Sequence, residues 1–214
     1  EQSIYIEGED DGQFNPSDFI EFYGQRNDGT LDAGLYESPA DQASTLYNLY
    51  SDTTAYFLTF GGLPGKRMPE FYEDNTGGLT PESFHTDERT LVLTSQYGTG
   101  QDYSEIQKTS FGLGEGWTGV WIFNGGFGDN SIGNVTKAVQ SGGNPILEVL
   151  LVGRGPMAHQ AEILVGQANR LLGTVDFEGY KYLKFVEPIE WTDVAPDGTV
   201  NVRIKVNGSG GAAD

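Results

Sequence analysis

The residues best placed to do chemistry are carboxylates gathered on a turn-rich loop, Glu7-Gly8-Glu9-Asp10-Asp11-Gly12-Gln13-Phe14-Asn15-Pro16-Ser17-Asp18. A hard cation such as calcium takes about six to eight oxygen ligands and tolerates flexible geometry. Asp10, Asp11 and Asp18 are the natural ligands here, and Gly12 permits the sharp bend. A second loop, Asn27-Asp28-Gly29-Thr30-Leu31-Asp32, offers Asp28 and Asp32. Neither loop follows the EF-hand spacing. Asp-Gly and Asn-Asp-Gly are also ordinary turn sequences. The five aspartates are therefore expected either to hold calcium or to cap turns in solvent.

Nucleophilic chemistry has little to work with. The chain has no cysteine and no Gly-x-Ser-x-Gly elbow, so the usual thiol and serine nucleophile motifs are missing. Its two histidines, His85 and His159, lie far apart in sequence and outside any H-E-x-x-H helix. They read as packed or surface histidines rather than as bases. Glycoside hydrolysis needs two carboxylates about 5–9 Å apart, and no spacing singles out a pair. The expectation is a chain without catalytic residues. The aromatics suggest binding instead. Trp117, Trp121 and Trp191 could form a platform for a surface polysaccharide, since indoles offer wide contact with a polar edge. Trp117 and Trp121 also fit an apolar run, which would bury them. Sequons stand at Asn134 and Asn207, as expected by chance in a chain of this composition.

Strands must position these residues. Thr199 to Asn207 alternates, with Val200, Val202, Ile204 and Val206 on one face and Asn201, Arg203 and Lys205 on the other. Ala195-Pro196-Asp197-Gly198 before it is a tight turn. Ile146 to Val152 and Trp117 to Phe123 are apolar runs of strand length. Ala161 to Val165, Leu171 to Phe177 and Tyr182 to Trp191 add three more. Ile4 to Ile6, Phe19 to Tyr23, Tyr56 to Phe60 and Leu91 to Thr94 are strand-like in the first hundred residues. Ala40 to Tyr50 is the one helix candidate, with Asp41 as its cap. The fold class is all-β: an antiparallel β-sandwich or jelly roll over residues 101–214, preceded by an irregular β-rich subdomain over 1–100.

Charge agrees with that division. The 214 residues carry 31 Asp plus Glu against 12 Lys plus Arg, for a net charge of -19. Residues 1–100 hold 18 acids and four bases (-14), and residues 101–214 hold 13 and eight (-5). The step suggests a boundary near Gly98-Thr99-Gly100. So negative a chain repels nucleic acid and anionic lipid. No apolar run reaches the roughly 20 residues of a membrane span. Glu1 and the Gly-rich tail from Gly208 read as cut ends of a larger protein.

Several stretches together resemble one family. Ile4 to Gly24, with Asp11-Gly12, Phe14 and Asp18-Phe-Ile-Glu-Phe-Tyr-Gly24, is similar to a segment upstream of the protease domain in gingipain-like cysteine peptidases and in the sortase of the type IX secretion system. Asp52-Thr-Thr-Ala-Tyr-Phe-Leu-Thr59 and Gly65-Lys66-Arg67 are similar to the segments that follow there. His159-Gln-Ala-Glu-Ile-Leu-Val-Gly166 resembles a strand of the jelly-roll domain of those proteins, without the Asn before Gly. The resemblance implies a non-catalytic accessory module, secreted or on the outer cell surface. Its partners would be adjacent domains of the parent protein, and calcium would be at most an optional cofactor. The catalytic Cys-His dyad of that family would lie outside this chain.

Overall fold

The computed structural model describes residues 2–63, 65–72, 77–100 and 108–207. Strand makes up 34% and helix 10%, the helix being short 3-10 turns, so the chain is mostly β. The strands are β1 (Ile4–Glu7), β2 (Phe19–Phe22), β3 (Gln96–Thr99), β4 (Glu115–Thr118) and β5 (Phe127–Ile132), then β6 (Ile146–Val152), β7 (Ala158–Val165), β8 (Arg170–Glu178), β9 (Tyr182–Pro188) and β10 (Val200–Val206). All ladders between them are antiparallel. Among the described residues no helix is long and apolar enough to cross a membrane.

The chain divides into two compact units. The smaller comprises Glu1–Asn27 with Asp52–Ser83, and the larger Asp28–Ser51 with Phe84–Asp214. This division follows contacts rather than the charge step at Gly100. β3 lies before that glycine and β4 after it, and the two pair from Gln96↔Thr118 to Thr99↔Glu115.

The smaller unit is built on the β1–β2 hairpin. The backbone of residues 66–68 adds to its edge, with the Ile4 N–H donating to Lys66 and the Met68 N–H to Ile4. Tyr56 ties a second segment to it. Its hydroxyl accepts from the Gln25 N–H at 2.7 Å and donates to the Gln25 carbonyl at 3.1 Å. Its ring lies 5.1 Å from that of Phe22.

The larger unit contains a four-stranded sheet in the order β5-β10-β7-β8 and a separate β6–β9 ribbon. In β10 the alternation is as the residues dictate: the four valine and isoleucine side chains are buried and the polar ones half-exposed. β7 repeats it with His159, Ala161, Ile163 and Val165. The core joins these faces to Leu147 of β6 and Phe185 of β9, with Ile189 and Val200 beside them. Burial of such side chains stabilises by roughly 1.5–3 kcal/mol each, so this cluster dominates the stability of the unit.

Five expectations are corrected. Ala40 to Tyr50 is not a helix. A 3-10 turn, Pro39–Asp41, starts there with Ser38 as cap, and the chain then runs irregularly. Side chains take the N–H groups that a helix would bond internally. Ser44 accepts from Leu46, Asp32 from Leu49, and Asn48 from Tyr50 and Ser51. Tyr56 to Phe60 and Leu91 to Thr94 have strand residue types but no ladder partner. Trp117 to Phe123 is strand only as far as Thr118, because the Trp121 N–H turns to the Gln96 side chain. Tyr182 to Trp191 ends as strand at Pro188, where a 3-10 turn (Trp191–Asp193) follows.

β5 went unpredicted because its Gly-Asp-Asn sequence has poor strand propensity. Cross-strand pairs to β10 compensate. Arg203 forks onto Asp129 at 2.6 and 2.8 Å and lies 4.2 Å over the Phe127 ring, while Ser131 donates to Asn201.

Candidate functional site

The larger unit carries a groove of about 510 Å³. Leu147 to Val152 of β6 forms one wall and Leu91 to Leu93 with Trp117 to Ile122 another. Ala161, Val202 and Ile204 of the main sheet lie at its base. The lining is mostly apolar, and its volume is ordinary for a small-molecule site. Two of its glycines let lining side chains approach closely. A Cβ on Gly119 would stand 2.9 Å from Leu93, and one on Gly128 would stand 2.8 Å from Ile122.

Two of the three tryptophans meet there. The Trp117 indole N–H donates to the Leu49 carbonyl at 3.0 Å, and the ring packs edge-on against Tyr97 at 5.2 Å. Trp121 is 46% exposed and sits 6.4 Å from Phe123. Trp191 is elsewhere, its N–H on the Gly143 carbonyl. Sequence reasoning missed Arg154, which lines the same groove. Its Cζ is 5.5 Å from the centre of the Trp121 ring, and its Nη1 donates to the Gly114 carbonyl at 3.2 Å. Burial pulls its pKa below the ordinary arginine value. The signal in the sequence was slight: an arginine between glycines, Gly153-Arg154-Gly155, just after an apolar strand.

Beside the groove, Tyr97 and Glu115 form a polar support. The Tyr97 hydroxyl donates to Glu115 Oε1 at 3.3 Å, and the Tyr36 hydroxyl to the Glu115 carbonyl at 3.2 Å. Burial, then the charge of Asp32, pushes Tyr36 up to about 12. Burial, then Glu115, raises Tyr97 as well. Both therefore stay neutral donors at ordinary pH.

The candidate calcium ligands fall in two places. Asp10, Asp11 and Asp18 belong to the smaller unit, Asp28 and Asp32 to the larger. Asp11 accepts from the Gln13 N–H at 2.8 Å and from Asn15 Nδ2 at 3.0 Å, and Asp18 accepts from the Asn15 N–H at 2.6 Å. Gly8 makes room for this turn: its φ is +83°, and a Cβ there would stand 2.1 Å from Asp18 Oδ1. Asp28 caps the Gly29–Leu35 3-10 turn through the Thr30 N–H. Asp32 is buried and accepts from Asn48 Nδ2 at 2.6 Å and the Leu49 N–H at 2.9 Å. Among the described residues no three His, Cys, Asp or Glu side chains converge as a metal site.

His159 is a packed residue of β7. Its Nε2 lies 3.0 Å from the Gly179 carbonyl and 3.2 Å from that of Gly155, which makes this nitrogen the donor. His85 is exposed. No protein-family model, curated protein or solved structure matches this chain.

Proposed function

We propose that this chain is a non-catalytic β-sandwich module, jelly-roll-like in its larger unit, of a secreted or cell-surface protein of the gingipain-like kind. It positions or stabilises a neighbouring domain of its parent. One observation carries the reading. In the smaller unit Phe57, Phe60, Leu63, Phe71 and Tyr72 are each more than four-fifths exposed. Large apolar side chains left exposed in two short segments favour a surface that a partner covers. The segment resembling the peptidase family forms the β1–β2 hairpin of that unit. A solvatochromic apolar dye is expected to bind the isolated chain and to lose that binding when the next domain of the parent reading frame is joined. Equal binding by both, or a parent without a further domain, would remove the proposal.

Calcium is a separable part of this reading. It would draw on Asp10, Asp11 and Asp18 of the acidic loop. Absence of binding heat at millimolar calcium, with an unmoved melting temperature, would delete it.

A second reading is a carbohydrate-binding module. Trp117 and Trp121 sharing one groove favours it. Trp121→Ala is then expected to abolish retardation of the chain in gels containing the surface polysaccharide, an effect of about 1–3 kcal/mol if a ring stacks there. Unretarded wild type would end it.

A further inference from the structure

Arg154 is a cation that its own chain leaves without a counterion among the described residues. Nη1 reaches the Gly114 carbonyl, but Nε and Nη2 are closed to solvent and have no hydrogen-bond partner there. The neighbouring strands treat arginine differently: Arg203 forks onto Asp129, and Arg170 pairs with Asp193. Acids are not scarce in a chain with 31 of them for 12 bases. The guanidinium also has a fitted place. Gly98 of β3 lies so close that a Cβ on it would stand 1.4 Å from Nη1. A covered, uncompensated guanidinium costs stability, and an anion arriving beside it recovers that cost.

We propose that the groove binds a small apolar carboxylic acid, its carboxylate on Arg154 and its hydrocarbon body against Leu93, Trp121, Val149, Leu151 and Ile204. Three features select this class. The planar fork of arginine matches a carboxylate with two parallel hydrogen bonds. The remaining lining is mostly aliphatic and aromatic. The net charge of -19 repels polyanions, which favours a guest with a single negative charge. The ring of Trp121 lies over the guanidinium, so it must shift to admit the carboxylate. It sits on chain outside the strands and is half-exposed, which allows the movement. This proposal is independent of the accessory role and gives the groove a guest chemically unlike a neutral sugar.

Dodecanoate is a suitable probe, with methyl dodecanoate as its uncharged match. Titration calorimetry and tryptophan emission would be followed for the wild type, Arg154→Met and Arg154→Lys. Dodecanoate is expected to bind the wild type, change its emission, and bind Arg154→Met at least about tenfold more weakly. The ester should bind both alike. Arg154→Lys, which keeps charge but not the fork, should fall between them. Equal affinity of acid and ester for the wild type would overturn the proposal. So would undiminished binding of the acid to Arg154→Met, or no binding at all. Should Arg154→Met not fold, the acid–ester difference on the wild type and the Arg154→Lys affinity decide.

Discussion

Ile204→Asp is expected to abolish the cooperative melting of the larger unit, whereas Asn201→Asp on the same strand leaves it nearly unchanged. Ile204 is 5% exposed and lies at the centre of β10. It sits opposite Gly128 of β5 on one side and Ile163 of β7 on the other. A carboxylate there would face Ile163 and the rest of the apolar core. It would lose the burial term, about 2 kcal/mol, and incur the desolvation of an unpaired charge, several kcal/mol more. Total stability of a domain is only about 5–15 kcal/mol. Val202→Asp acts the same way, since Val202 shares that face. Asn201 points to the opposite, half-exposed face, where a charge remains hydrated. Circular dichroism on heating would check the contrast. A folded Ile204→Asp protein with an unchanged melting curve would contradict the burial of this face.

Asp193→Ala is the second large effect, expected to cost about 2 kcal/mol, a melting shift of roughly 4–8 °C. Asp193 is buried where the chain leaves β9. It accepts from Arg170 Nε at 3.2 Å, from Arg170 Nη2, and from the Glu190 N–H at 2.9 Å. One carboxylate thus closes the capping box of the Trp191–Asp193 turn and ties it to β8. Gly166, with φ at +76°, leaves space beside it: a Cβ there would stand 3.1 Å from Asp193 Oδ1. Arg170 is 42% exposed, so solvent screens part of the pair. The Arg170 hydrogen bond holds the Asp193 carboxyl below the ordinary range. Its stabilisation is therefore fully present above the unfolded-state value of about 3.9, and is lost as pH falls through the lower folded-state value. Melting temperature against pH should then fall more steeply on the acid side for wild type than for Asp193→Ala. Parallel acid limbs would show that the pair does not matter to folding.

Regular alternation was readable wherever one face of a strand is buried. Thr199 to Asn207 announced β10 in this way, and the apolar run Ile146 to Val152 announced β6. Strands made by their neighbours were not readable. Nothing in Phe127-Gly-Asp-Asn-Ser-Ile132 calls for extension until Arg203 and Asn201 stand opposite it. The helix expected over Ala40 to Tyr50 failed for a related reason. Asp32 and Asn48 are distant or local acceptors whose hold on the backbone depends on where the chain has already been folded.

The site divides along the same line. The sequence by itself determined that the chain is mostly β, strongly negative and free of cysteine, because composition and period-two alternation act through local chemistry. It also marked Trp117 and Trp121 as candidates for binding. Only the tertiary structure decided that these two line one groove while Trp191 does not, and that Asp32 is buried and accepts from Asn48 and the Leu49 N–H. Arg154 belongs wholly to that second class. Its identity is visible in the sequence, but that no acid among the described residues pairs with it is a property of the space around it. That space is set by Gly98 and Trp121, which are 56 and 33 residues away along the chain and adjacent only after folding.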